Sequence, residues 1–484
     1  MELEHTRRWL ALALVCAAQF MVVLDVAIVN VALPSIQTDL HFSQENLQWI
    51  VSGYAITFGG FLLLGGRAAD LLGRREVFMA GLVLFTLASL ACGLAWSDSS
   101  LIAARAVQGL GAAIVSPATL SIVSDLFEEG PDRNRAIGIW GAIGAVGAAA
   151  GVLLGGILTT GLGWEWIFFV NVPVGAIALA LSPVLLPRGR RTVRHRRDFD
   201  FPGAVVVTGS LVLLVYTIVK ANDVGWASGR TIGGFIVSAF LLGLFALWEL
   251  RAKAPLMPLG FFRNRTPTGA NVVSLLMGGS LFAMFFLLSL YMQEVLGYSA
   301  LKAGVAYLTI ALTTIFTAGI ASQLVTRIGV KPILAAGMAI ATVGLLLFTR
   351  VSVGGDYVHD LLPGFVVTAF GLGFSFVPVS IAALQGVKLS DAGLASGLIN
   401  TGQQIGGALG VAIITAVATA RTDQVLSAGG SRPTALTDGF QRGFLVGAFF
   451  AAAGVLVTLF VIRRERPREL AAAVEEQIAQ ATTR

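Results

Sequence analysis

This chain has little charge. Only 12% of its 484 residues are Asp, Glu, Lys or Arg, against about 25% in soluble globular domains. Its two cysteines, Cys16 and Cys92, both fall inside apolar runs, which argues against a disulfide framework, and no Cys/His spacing suggests a metal site. No phosphate-cradling P-loop is present, so direct ATP drive is unsupported. No nucleophile–base arrangement points to an enzyme. The ten-residue alternation of a membrane β-barrel is missing too.

What fills the chain is hydrocarbon. Hydrophobic residues make up 56% of it, in runs of about 20 residues, the length that spans a bilayer as helix. These runs define an all-α polytopic membrane protein. Fourteen spans are expected, at 10–33, 47–65, 77–96, 101–124, 136–159, 166–187, 201–220, 231–250, 268–292, 301–324, 332–350, 361–384, 394–419 and 442–462. Most of the 33 basic residues fall on one side if the N-terminus is inside, so both termini are expected in the cytoplasm. The same bias accounts for the net charge of +6 and implies no nucleic-acid partner. The first span is long and contains an acid, unlike a cleaved signal peptide.

The spans group as six, two and six. Residues 1–187 form the first half. Residues 188–267 hold basic loops and two inserted helices, 268–462 form the second half, and 463–484 are a charged tail. Gly73 and Gly329 lie 256 positions apart, each in a short basic loop after the second span of its half, and Gly151 and Gly407 share that offset. Two such halves place a binding site at the midplane between them.

Two charges lie well inside spans. Asp25 sits in the first and Arg105 in the outer half of the fourth. Each costs roughly 2.5–3.5 kcal/mol at a helix centre on insertion scales, and such a group is a functional hypothesis by default. The alternative is a structural ion pair between the two helices. Counted from the span ends, their depths differ by roughly 6 Å at about 1.5 Å per residue, within reach of an arginine. Gln108 is three residues on from Arg105 and shares its helix face. Burial favours the neutral acid and a nearby arginine favours the carboxylate. Together they suit a group that loads and releases a proton in competition with a substrate.

Four segments carry a resemblance. The charged turn from Gly65 to Phe78 resembles the loop between helices 2 and 3 of the major facilitator superfamily. Leu24 to Pro34 resembles the helix-1 signature of drug–proton antiporters, and Arg105 to Ala113 their helix-4 motif, whose arginine is associated with proton transfer. Gly147, Gly151, Gly155 and Gly156 lie in a stretch similar to the helix-5 exporter motif, with Val152 where proline is usual. Further stretches, including Trp164 to Gly175, Tyr291 to Ser299 and Asn400 to Gln404, are similar to the fourteen-helix EmrB/QacA-type branch. Glu165 stands where arginine is common, and the thirteenth span lacks the acids that some members carry.

The resemblance implies a major facilitator fold and proton-coupled efflux of amphipathic drugs, dyes or secondary metabolites, of the kind that confers antibiotic resistance. A dedicated exporter of one metabolite or lipid is the second reading, and an uncoupled sensor or scaffold the third. The energy source would be a proton gradient with no cofactor and no ATP, and the location a bacterial inner membrane. Asp25, Arg105 and Gln108 would couple protons. Asp70, Gly73, Arg74, Arg75 and Asp125 would latch the cytoplasmic side; the other reading is that these charges only set topology. Asn30, Tyr54, Phe58, Asn400, Gln403 and Gln404 are candidates for a largely apolar substrate cavity.

Overall fold

The computed structural model describes residues 2–127, 131–187, 200–252, 255–257, 259–385, 387 and 392–463. The regular elements among the described residues are all helical. In chain order the long helices are α1 Glu2–Asp39, α2 Trp49–Leu72, α3 Arg74–Gly93, α4 Asp98–Leu126, α5 Pro131–Gly161, α6 Asn171–Leu185 and α7 Phe201–Val224. They continue with α8 Gly229–Glu249, α9 Arg265–Leu290, α10 Ala300–Ile328, α11 Val330–Phe348, α12 Leu362–Leu384, α13 Ala392–Ser427 and α14 Arg432–Phe460. Among the described residues thirteen helices are long and apolar enough to cross a bilayer, and the apolar stretch Val146–Gly161 of α5 marks the fourteenth crossing. The chain is a multi-pass membrane protein.

Several helices run past the expected spans. Helix α1 continues to Asp39 and α14 starts at Arg432, because helical structure persists into the polar zones that hydropathy alone trims away. Their starts are fixed by side chains. Ser97 accepts the Ser100 amide in a reciprocal capping box that opens α4, and Ser299 and Ser431 accept the Lys302 and Thr434 amides.

Helices α1–α6 pack as one bundle and α9–α14 as a second. Gly73 and Gly329 occupy the same place in each, between the second and third helices, and both turn at positive φ (107° and 87°), where glycine is strongly favoured. Gly151 packs on Ala27 and Leu24 of α1, and Gly407 on Phe282 of α9. Each glycine thus sits against the first helix of its own bundle. The inserted helix α7 lies across the seam, touching α2 and α13, and α8 packs on α7. Asn222 donates to the Ala416 carbonyl (2.7 Å) at this seam. Ile236, Phe240 and Leu247 of α8 are exposed, as expected of a helix facing lipid.

The two bundles are joined toward the end opposite the N-terminus. Ser289 donates to the Asn30 carbonyl, Gln293 to the Val31 carbonyl (2.9 Å), and the Leu301 amide to Thr160 (3.2 Å). A methyl on Gly156 would lie 2.7 Å from Leu301 Cα, so α5 and α10 touch backbone to backbone there.

Candidate functional site

The buried charges expected from the sequence meet. Asp25 is fully buried on α1, and Arg105 Nη1 of α4 lies 2.6 Å from its Oδ2. Gln108 Nε2, one turn along α4, donates to Asp25 Oδ1 at 2.7 Å. Its Oε1 accepts from Arg105 Nη1 at 2.6 Å. The three side chains form a closed triangle.

Other elements complete it. Asn171, the first residue of α6, donates to Asp25 Oδ1 at 2.9 Å. Ser89 of α3 accepts from Gln108 at 2.7 Å. Arg105 Nε donates to the Ile50 carbonyl of α2 at 3.1 Å, and its guanidinium lies 4.2 Å over the Tyr54 ring and 5.7 Å from that of Phe168. Five helices thus contribute to one desolvated cluster, and charge, dipoles and ring faces all compensate the buried ions. Asn171 reaches it from the first turn of α6, directly after the short helix Trp166–Phe169.

The sequence missed Asn171, Ser89 and the Ile50 carbonyl. Asn171 had a usable signal, an amide alone in an apolar stretch. A backbone carbonyl has none.

The cavity candidates are dispersed. Tyr54 and Phe58 are buried and pack edge to face, so Tyr54 serves the guanidinium. Asn30 is buried and its amide bonds back to Val26 of its own helix (3.1 Å). Asn400 is exposed and bonds back to Ser396 (3.0 Å), and Gln403 and Gln404 are half-buried.

Arg74 pairs with Asp125 and donates to the Ser121 carbonyl (3.1 Å), and Arg75 donates to Leu186 (3.3 Å). All of these belong to the first bundle, so these contacts brace that bundle internally. The side chain of Asp70 lies outside the described residues.

The glycines of α5 make two seams. Gly147, Gly151 and Gly155 face Val23, Leu24 and Ile28 of α1, and Gly156 faces α10. Val152 sits in continuous helix and is buried.

The second bundle has no matching charges among its described residues. Leu281 and Leu345 lie 256 positions on from Asp25 and Ser89, and they line a small cavity of about 10 Å³ with Met277, Met284, Met338 and Thr368. The Thr368 hydroxyl is buried without a partner.

Two like helix bundles around a seam, with a buried ion pair in the first, are the architecture of a membrane transporter. The chain belongs to the major facilitator superfamily: that family's model matches residues 15–411. It is 39% identical over 455 residues to the puromycin resistance protein pur8 of Streptomyces alboniger, covering 93% of this chain and 90% of the relative. It is 39% identical over 409 residues to the cephamycin export protein CmcT of Amycolatopsis lactamdurans, covering 84% of each. Among solved structures it resembles an auto-inhibited peptide transporter of the POT family, with TM-score 0.67 and 16% identity, over 94% of this chain and 97% of that one. This last likeness concerns the fold alone.

Proposed function

We propose that the protein exports amphipathic drugs, dyes or secondary metabolites across a bacterial inner membrane in exchange for protons, by alternating access between the two halves. The names of its relatives support export. The bias of basic residues supports cytoplasmic termini.

One observation carries the proton coupling: three N–H donors from two helices converge on the two oxygens of a buried Asp25. That arrangement suits the carboxylate. A proton arriving at Asp25 needs an acceptor, and the Gln108 amide can supply one by turning its oxygen toward the carboxyl. That turn releases Arg105 from Gln108 and weakens its hold on α1. Protonation is thereby linked to helix packing, and a cationic or bulky substrate that favours the ionised cluster competes with the proton. The membrane potential supplies about 2.3 kcal/mol per charge per 100 mV.

The test is direct. In proteoliposomes under an imposed pH gradient, uptake of a cationic dye should be accompanied by proton release, and Asp25→Asn should abolish both. Unchanged coupling in that variant would sink the role of Asp25. The relatives named for single antibiotics favour a second reading, a dedicated exporter. A growth screen against many compounds, with and without the protein, separates it from broad efflux.

A further inference from the structure

Helix α1 contains Pro34. Proline has no N–H, so the carbonyl four residues back loses its helical partner. That carbonyl belongs to Asn30, and Asn30 is buried, where an unpaired carbonyl is unfavourable. Its donor comes from the other half of the molecule: the Ser289 hydroxyl of α9. Gln293, one turn further, donates to Ser289 Oγ at 3.1 Å and to the Val31 carbonyl at 2.9 Å. Because Gln293 donates to the Ser289 oxygen, the Ser289 proton is aimed at Asn30. Ser289 is fully buried, so no water competes.

We infer that Ser289 is a positioning residue for transport: it completes the proline-broken hydrogen-bond ladder of α1 from the opposite half, and so holds closed the end of the molecule away from the N-terminus.

The break lies just beyond Asp25 on the same helix. Opening this end separates Ser289 from Asn30 and leaves the carbonyl to be hydrated. The closed state therefore depends on a donor that one half lends to the other. Pro34 makes the contact obligatory, since an alanine there would satisfy Asn30 within α1. The inference rests on the alternating-access part of the proposed function and is independent of which group carries the proton.

The experiment is a double-mutant cycle on the full chain in lipid nanodiscs, with no pH gradient. Spin labels at exposed Leu162 and Val353, both at this end, report its opening; the two native cysteines are buried. Ser289→Ala should raise the open-to-closed ratio about tenfold, the size expected for leaving a buried carbonyl unpaired. Ser289→Thr, which keeps the hydroxyl, should restore the closed population. Pro34→Ala should make the Ser289→Ala change nearly silent, because the helix then supplies its own donor. A Ser289→Ala effect of equal size with and without Pro34, or no effect at all, overturns the inference. Since no proton movement is read, failure here leaves the role of Asp25 standing, and loss of coupling in Asp25→Asn leaves this result unchanged.

Discussion

Asn171 and Gln108 donate to the same oxygen of Asp25, from two different helices, at 2.9 and 2.7 Å. The carboxylate is thus held from α4 and α6 at once. Replacing Asn171 by Leu removes one of three donors to a buried charge, and a hydrogen bond to a charged group contributes about 1.5–3 kcal/mol. The unfolding midpoint in detergent should fall, and the pH at which dye uptake is half-maximal should move. A variant with wild-type uptake at every pH would show that Asn171 only packs.

Tyr54 offers a cleaner separation of ring from hydroxyl. Its hydroxyl is buried without a partner, while its ring lies under the Arg105 guanidinium. Tyr54→Phe should therefore keep transport and raise stability slightly. Tyr54→Leu should lose the cation–π contact, about 0.5–2 kcal/mol, and reduce uptake several-fold. Equal loss in both variants would assign the role to the hydroxyl.

The glycine seam between α1 and α5 has no slack. A side chain at Gly151 starts 2.7 Å from Ala27 Cβ and 2.9 Å from the Leu24 carbonyl. Gly151→Val should push the helices apart and destabilise by about 1–3 kcal/mol, read as a lower melting temperature. It should also disturb Asp25, which follows Leu24 directly. Gly144, with open space around it, is the control: Gly144→Ala should be tolerated.

The Arg74–Asp125 pair is partly exposed, with side-chain exposures of 31% and 56%. Such pairs contribute roughly 0–1 kcal/mol. Asp125→Asn should leave the melting temperature within a degree or two. If the charged turn acts as a latch, transport should nonetheless fall markedly; retained transport would leave these residues with topology alone.

Most of the architecture was legible because a bilayer makes hydropathy explicit. Asp25, Arg105 and Gln108 could be joined from sequence because two costly charges at matched depth have few other partners. Ser89 is hard to find because a neutral hydroxyl in a span carries little penalty and so little signal, whereas Asn171 stands out as an amide in an apolar stretch. Tyr54 and Phe58, candidates for a cavity by sequence, lie against the guanidinium and each other. In a helix apolar on every side, periodicity does not say which face turns inward. The Asn30–Ser289 link was invisible for another reason: Pro34 announces a broken ladder, but only the folded chain shows who repairs it.

The small cavity among Met277, Leu281, Met338 and Thr368 has a consequence for how this molecule can vary. Around Asp25, loss of Arg105, Gln108 or Asn171 takes a partner from a buried ion. At the corresponding place in the second half, the side chains are neutral and the flexible methionines Met277, Met284 and Met338 can yield to a changed neighbour. The two halves are thus unequal in tolerance. Heritable change should accumulate among the cavity-lining residues of α9, α11 and α12, while the cluster around Asp25 stays fixed.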